Sequence, residues 1–241
     1  MITLDQITHR YPNGMQALSD ISLTVKSHET LVLIGGSGCG KSTLLKMVNG
    51  LIRPTRGQIL WDDVPLDRDH LIPLRRRIGY VIQQVGLFPH LTVAENIGLV
   101  ARFAQWSRAQ IDARVETLLE LVGLDPRLQR DKYPHQLSGG EAQRIGIARA
   151  LLFDPMVLLM DEPFGAFDPV LRTQLQHEFL SLEFSLKKTI VLVTHDIQEA
   201  FLLGDRIAFM DRGRLLQVGT AEELKSCPAN DAVSAFVGGI P

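Results

Sequence analysis

Two cysteines, Cys39 and Cys227, are all that the 241-residue chain contains. They are too few for a disulfide framework, and a reducing compartment fits. No apolar run approaches the ~20 residues that cross a bilayer as a helix. The N-terminus, MITLDQITHRYPNG, is polar and alternating; it lacks the positive region and apolar stretch of a signal peptide. Basic excess is missing too. Lys and Arg number 25 against 27 Asp and Glu, a net charge of −2, whereas nucleic-acid surfaces announce themselves by strong positive charge. The one dense basic run, Arg75-Arg76-Arg77, reads as a solvated helix end. Repeats and low-complexity tracts are absent. What remains is an ordinary core-forming composition, 45% hydrophobic and 22% charged, within reach of a single α/β unit carrying an insertion. Any membrane that the chain serves is served from the water side.

Apolar bursts bounded by Gly, Asp and Pro alternate with longer amphipathic stretches. Leu31–Ile34, Ile78–Ile82, Met156–Met160 and Thr189–Val193 read as short buried strands, the middle layer of an α/β domain. Ile2–Leu4, Ile21–Val25, Gln58–Trp61, Ile207–Met210 and Leu215–Val218 read as more peripheral strands, the last two joined by a hairpin turn at Asp211-Arg212-Gly213-Arg214. Helical periodicity is clearest in Lys41–Asn49, Ile111–Val122, Glu141–Leu152 and Leu171–Leu186. Between about Val85 and Leu137 the βαβ rhythm breaks. Thr92–Phe103 and Ser107–Val122 are helix-like there, Ser107 serving as an N-cap. The expectation is a helical subdomain inserted into an α/β core, with Gly238-Gly239-Ile240-Pro241 as a linker after which another domain could follow.

Gly35-Gly36-Ser37-Gly38-Cys39-Gly40-Lys41-Ser42 matches the phosphate-binding pattern G-x-x-x-x-G-K-[ST] between a strand and a helix. Glycines let backbone N–H groups converge on phosphate oxygens, and the helix N-terminus adds its positive dipole end. Lys41 is then placed for the β and γ phosphates and Ser42 for Mg²⁺, with Thr43 counted among the nucleotide-binding residues. The loop alone leaves kinase, GTPase and ATPase open. Val157-Leu158-Leu159-Met160-Asp161-Glu162 is an apolar strand ending in two acids. Asp161 can hold Mg²⁺ and Glu162 can orient and deprotonate an attacking water; alone, the same acids also read as caps on a buried strand. A nucleotide site follows from the two together.

Leu137-Ser138-Gly139-Gly140-Glu141, followed by Gln143-Arg144, offers a second anion cradle, a hydroxyl and unblocked N–H groups opening a helix. It resembles the signature of ATP-binding-cassette transporter ATPases, and the resemblance covers Tyr11 to about Gly219. It implies a P-loop NTPase (RecA-like) core with an antiparallel β subdomain and the helical insert, so that residues 1–84 and 154–241 form the core and 85–153 the insert of one nucleotide-binding domain. It also implies ATP and Mg²⁺ as cofactors, with Ser138, Gly139, Gly140 and Glu141 of one chain facing the phosphate loop of another in a head-to-tail homodimer.

Under the same resemblance Tyr11 is the aromatic that stacks on adenine, unless it is a core or strand-edge tyrosine. Gln83 is the glutamine that joins the Mg²⁺ shell and the catalytic site; Gln84 competes with it, and the spacing to Leu87-Phe88-Pro89-His90 favours Gln83. Gly165-Ala166-Phe167-Asp168 is similar to the loop that crosses the dimer interface, and His195 to the histidine at the γ-phosphate. His9, His28, His70, His90, His135 and His177 are left as surface or packing residues. Two positions depart from the family, Ala142 for Gln and Phe167 for Leu. Neither touches a group that carries charge in the mechanism, and activity is expected to survive both. Cys39 sits near a helix N-terminus, where thiolates are favoured, so its alkylation is expected to inhibit and bound MgATP to protect.

The stretches Gly79–His90 and Asp161–Pro169 resemble the ATPases of bacterial osmoprotectant importers. These carry glycine betaine, carnitine or choline, and many have a C-terminal regulatory domain that this chain does not show. The implied partners are membrane-spanning permease subunits and, through them, a solute-binding protein, with no nucleic acid. The implied place is the cytoplasmic face of the bacterial inner membrane. Importers of nitrate, sulfonates, polyamines or amino acids stay open as alternatives, as does a non-transport cassette ATPase. The last would need a coiled-coil insertion or tandem cassettes, whereas only about a hundred residues, without heptads, separate Lys41 from the signature.

Overall fold

The computed structural model describes residues 1–66, 71–83 and 85–238. His70, Gln84 and Gly239–Pro241, singled out above, lie outside the described residues. The chain opens with β1 (Ile2–Arg10), β2 (Gln16–Val25), β3 (Thr30–Ile34), α1 (Lys41–Val48), β4 (Arg56–Trp61), β5 (Val64–Pro65), α2 (Leu71–Arg76) and β6 (Ile78–Val81). The helices α3 (Val93–Phe103), α4 (Arg108–Leu121) and α5 (Pro126–Gln129), a 3₁₀ turn at Pro134–Gln136 and α6 (Gly139–Ala150) follow. The rest alternates: β7 (Val157–Asp161), α7 (Pro169–Leu186), β8 (Thr189–Thr194), α8 (Ile197–Leu203), β9 (Arg206–Asp211), β10 (Arg214–Gly219), α9 (Ala221–Ser226) and α10 (Asp231–Gly238). Two compact units result, Met1–Arg75 with Leu159–Glu162 and Lys188–Pro241, and Arg76–Leu158 with Pro163–Lys187.

In the first unit an antiparallel sheet runs β2-β1-β4-β5. Its β1 buries Ile2, Leu4 and Ile7, and pairing of Ile2 with both Val25 and Trp61 sets the register on its two sides. The parallel strands β3, β8 and β9 lie in the order β9-β3-β8, with β7 beyond β8. Every residue of β3 and β8 is buried, so these strands read as unbroken apolar runs rather than alternating ones, as strands covered on both faces do.

Ile207–Met210 is not peripheral. It forms β9, hydrogen-bonded in parallel to β3, and its four residues are at most 4% exposed. A four-residue apolar run carries no periodicity that separates an inner strand from an edge one, so the pairing with β3 decided it. The turn into β10 is as expected: Arg212 and Gly213 both take positive φ, 44° and 75°, the twist that a two-residue hairpin requires.

The second unit is dominated by helices. Among its described residues, 85–137 holds α3, α4, α5 and the 3₁₀ turn and no strand. Three N-termini are closed by reciprocal capping boxes, Thr92 with Glu95, Ser107 with Gln110 and Ser138 with Glu141. Each satisfies two N–H groups that the first turn leaves orphaned. Ile97 and Ala101 of α3, Val115 and Leu118 of α4 and Ile145 and Ala148 of α6 are fully buried, the stripe that holds the helices together. The run Arg75–Arg77 is exposed and ends α2, as read from its charge.

Candidate active site

Parallel strands of the first unit end side by side. Ile34 is paired with Thr194 in β8, and the N–H of Glu162, just beyond β7, donates to the carbonyl of Val193 at 2.9 Å. The Gly-rich loop after β3, Asp161 at the end of β7 with Glu162 beyond it, and His195 after β8 therefore emerge at one carboxyl edge of the sheet, where open α/β folds place their ligands.

The loop enters α1 without a side-chain cap. Gly40 is the N-cap at φ 107°, it makes no capping hydrogen bond, and no acid occupies the first turn. In contrast to the three boxed helices, α1 thus keeps its leading N–H groups and positive end for an anion. Lys41 is only 5% exposed, and its ammonium donates to the carbonyls of Gly35 and Gly36 at 2.7 and 3.0 Å. Added side-chain atoms at Gly36 and Gly38 would meet nothing within 4 Å, so that stretch of the cradle is open.

Ser42 donates its hydroxyl to Asp161 Oδ1 at 2.9 Å. Burial raises the Asp161 carboxyl above its ordinary value; the Ser42 hydroxyl pulls it back, the Glu162 carboxylate pushes it up again, and Lys46 and Lys41 oppose. A carboxyl that binds its proton more tightly when folded favours the folded chain in acid. That contribution is lost as pH rises from the unfolded value through the raised one. A cation held there would offset the cost of the buried charge. One carboxylate with a neighbouring hydroxyl is the hard oxygen set that suits Mg²⁺, which takes few protein ligands beside phosphate and water.

Glu162 adopts the left-handed region at φ 46°, an unfavourable conformation for a residue with a side chain and one that clusters at functional sites. Its Oε2 lies 3.4 Å from His195 Nδ1, and the His195 side chain is 55% exposed. The imidazole and the carboxylate meet where the His195 side chain reaches solvent.

Tyr11 sits half-buried in the turn between β1 and β2, and its hydroxyl is 3.1 Å from Thr43 Oγ1. The position counted only as part of the loop thus tethers the aromatic ring to α1. His9 packs edge-on against Tyr11 at 4.7 Å, a packing role as read. Packing limits access to Cys39. It is 4% exposed, with Sγ 3.7 Å from Lys41 Nζ, whereas Cys227 is exposed. One equivalent of a maleimide is expected to label Cys227 first, with nucleotide binding unchanged. Cys39 then reacts slowly, with loss of binding, and peptide mapping over time checks the order.

Gln83 and the signature belong to the second unit. Gln83 is exposed. Ser138 and Gly139 are exposed and Gly140 is buried. Ser138 Oγ accepts from the N–H of Glu141 at 3.2 Å, and Glu141 Oε2 accepts from the N–H of Ser138 at 2.8 Å. Glu141 Oε1 also takes Gln129 Nε2 at 2.7 Å. The backbone N–H of Ser138 is the first cause holding the Glu141 carboxyl below its ordinary value. Phe167 lies over Gly139, where an added Cβ would come within 2.9 Å of its ring. Asp168 caps α7, accepting from Val170 and Leu171.

Sequence reasoning missed Arg149. Its guanidinium donates to the carbonyls of Val85 and Gly86 at 2.7 and 2.8 Å and so ties the segment after Gln83 to α6. Only a basic residue in the last turn of that helix hinted at it.

Residues 18–165 match the sequence profile of a family described as ABC transporter. The glycine betaine/carnitine/choline transport ATP-binding protein OpuCA of Bacillus subtilis is 47% identical over 238 residues, 99% of this chain and 62% of its own length. The chain thus spans less than two thirds of that relative. The glycine betaine uptake system ATP-binding protein YehX of Escherichia coli is 49% identical over 225 residues, covering 93% of this chain and 73% of its own. Among solved structures, the dimeric post-hydrolysis state of the ATP-binding cassette MJ0796 bound to ADP and Pi superposes with a TM-score of 0.80 at 35% identity. It covers 91% of this chain and 98% of its own.

Proposed function

This chain belongs to the ABC transporter family, and from that premise we propose that it is the ATP-binding and ATP-hydrolysing subunit of an importer for osmoprotectants such as glycine betaine, carnitine or choline. The observation that carries the ATPase reading is the meeting at one sheet edge of an uncapped helix N-terminus, a buried lysine, a serine bonded to a desolvated aspartate, and a glutamate beside a histidine. The names of the relatives, both of them transport or uptake ATP-binding proteins, support the cargo.

In this reading residues 1–241 act as one nucleotide-binding domain, with 1–84 and 154–241 as core and 85–153 as helical insert. The loop from Gly35 to Ser42 cradles the phosphates, Lys41 neutralises the β and γ oxygens, Tyr11 stacks on the base, and Thr43 anchors Tyr11. Ser42, Asp161 and Gln83 would hold Mg²⁺, which supplies charge neutralisation at the transferred phosphoryl group. Glu162 takes the proton of the attacking water and His195 orients the γ-phosphate end.

Two copies assemble, a state that likeness to the dimeric MJ0796 cassette supports, and in this reading they lie head to tail. Ser138, Gly139 and Gly140 of one copy then face the nucleotide of the other, with Glu141 fixing that cradle through its capping box. The dimer works beneath permease subunits and their solute-binding protein, peripheral to the cytoplasmic face of the membrane. No helix among the described residues is long and apolar enough to cross a membrane.

The test is ATPase activity of the chain reconstituted in liposomes with its permease and binding protein, with glycine betaine, carnitine and choline varied in turn. Saturable stimulation by one of these solutes is the expected result. Hydrolysis indifferent to all three, yet raised by a polyamine or an anion, would discard the cargo and keep the ATPase.

A further inference from the structure

Three acids are buried among the described residues, Glu29, Asp161 and Glu199, at 7, 8 and 3% exposure. Glu29 is paired with Arg206, and Asp161 belongs to the nucleotide site. Glu199, the most buried, has no part in the ATP chemistry above. A buried carboxylate is costly unless hydrogen bonds hold it. Its place in the first turn of α8 offsets part of that cost.

Glu199 Oε2 accepts from the hydroxyl of Thr194 at 3.1 Å, and the same hydroxyl oxygen accepts from the N–H of Asp196 at 3.0 Å. Asp196 is in turn the N-cap of α8, its Oδ1 accepting from the N–H groups of Gln198 and Glu199 at 2.9 and 3.3 Å. The ring closes around His195, whose two chain neighbours are both members of it. At other helix starts the acid at the third position accepts directly from the N-cap N–H. Glu95 does so from Thr92, Glu141 from Ser138 and Glu223 from Thr220. At α8 that N–H goes to Thr194 instead, and the carboxylate reaches back to the end of β8. Starting a helix needs only the direct box. The relayed form adds a hold on the residue before His195.

We infer that Glu199 is a positioning residue: acting through Thr194, it fixes the turn that aims His195 at Glu162 and the γ-phosphate end. The inference rests on the reading of His195 given above. Thr194 is 2% exposed and paired with Ile34 of β3, and Val193 before it accepts from the N–H of Glu162. The last two residues of β8 therefore hold Glu162 by a hydrogen bond and His195 by the chain. With the His195 side chain 55% exposed, less than half of it is covered, and its aim is set by the backbone on either side. Misplacing a group at a reacting centre lowers the rate of the step rather than the affinity for substrate.

The experiment is a mutant cycle on ATP hydrolysis by the full chain, reconstituted with its permease and binding protein. Glu199→Met, which swaps the carboxylate for an apolar group of similar length, should lower kcat about tenfold, the scale of one lost hydrogen bond, with KM for MgATP within about twofold. Thr194→Val should match it, and Thr194→Ser, which keeps the hydroxyl, should restore kcat. In a His195→Ala background Glu199→Met should change kcat by less than about twofold, because nothing is left to position. Normal kcat in Glu199→Met, a loss that persists in the His195→Ala background, or Thr194→Ser as slow as Thr194→Val would each overturn the inference. Normal turnover by His195→Ala alone would instead refute the reading of His195, and the inference with it. Where His195→Ala leaves no measurable hydrolysis, or Glu199→Met fails to fold by its thermal midpoint, NMR of the full chain with ¹³C-labelled histidine decides. The His195 ring signal, identified by its loss in His195→Ala, should move in Thr194→Val and in any folded Glu199→Met, and return in Thr194→Ser. A signal unmoved by Thr194→Val would overturn the inference.

Discussion

Glu162→Gln is expected to leave MgATP bound and to cut turnover by a factor on the order of 10² to 10⁴, the range that a positioned general base supplies. The substitution preserves shape, so the left-handed backbone at φ 46° and the N–H bond to Val193 are kept. What it removes is the capacity to take a proton at the atom 3.4 Å from His195 Nδ1. Because nucleotide contacts are untouched, the Kd for MgATP should stay within about twofold, well under the tenfold that 1.4 kcal/mol represents. The arrested chain should then accumulate as an ATP-bound dimer in light scattering. A variant that is still monomeric in saturating MgATP would refute the sandwich arrangement, and one that hydrolyses ATP at the normal rate would move the base elsewhere.

Gly35→Ala should be nearly as severe, for a steric reason. Gly35 has φ 150°, and a Cβ there would lie 2.0 Å from the carbonyl oxygen of Met210 and 2.9 Å from Cys39 Sγ. The first obstacle is backbone in β9 and cannot rotate away. Either the loop leaves its place or the strand does, and both unseat Lys41, whose ammonium is held by the Gly35 carbonyl. A loss of about 3 kcal/mol or more in folding stability follows, at the upper end for overpacking, together with loss of nucleotide binding. Gly36→Ala is the control. Nothing lies within 4 Å of its added carbon, so stability should change by no more than about 0.5 kcal/mol. Denaturant midpoints of the two variants check the contrast, and equal midpoints would mean that the loop does not press against β9.

The phosphate loop was legible because its chemistry is local. A strand, a glycine-rich turn and a helix start occupy consecutive residues, and each step has a residue code. The N-cap at Ser107 and the hairpin turn at Arg212-Gly213 were legible for the same reason: a side chain or a positive φ acts on its own neighbours. The short helices α2, α8, α9 and α10 were not read. Their runs of six to eight residues are too brief for a period of 3.6 to show.

Residues that work in pairs across the chain escaped as well. Nothing near Tyr11 announces that its hydroxyl will meet Thr43, nor does anything near Arg149 point to the carbonyls of Val85 and Gly86. The burial of Cys39 was not legible either, because a helix N-terminus governs a thiol's charge, while packing governs its access.

An α/β chain with a nucleotide loop, a pair of acids at a strand end and the signature of its family can be read from the residues alone. Those features are written in runs of adjacent residues whose backbone geometry follows from their own side chains. Tertiary packing was needed to bring β9 against β3, Ser42 to Asp161 and Glu162 to His195. Each of these joins residues that the parallel sheet or the helix packing brings together from distant parts of the chain. Such pairings are selected by burial and register over the whole fold rather than by any local preference.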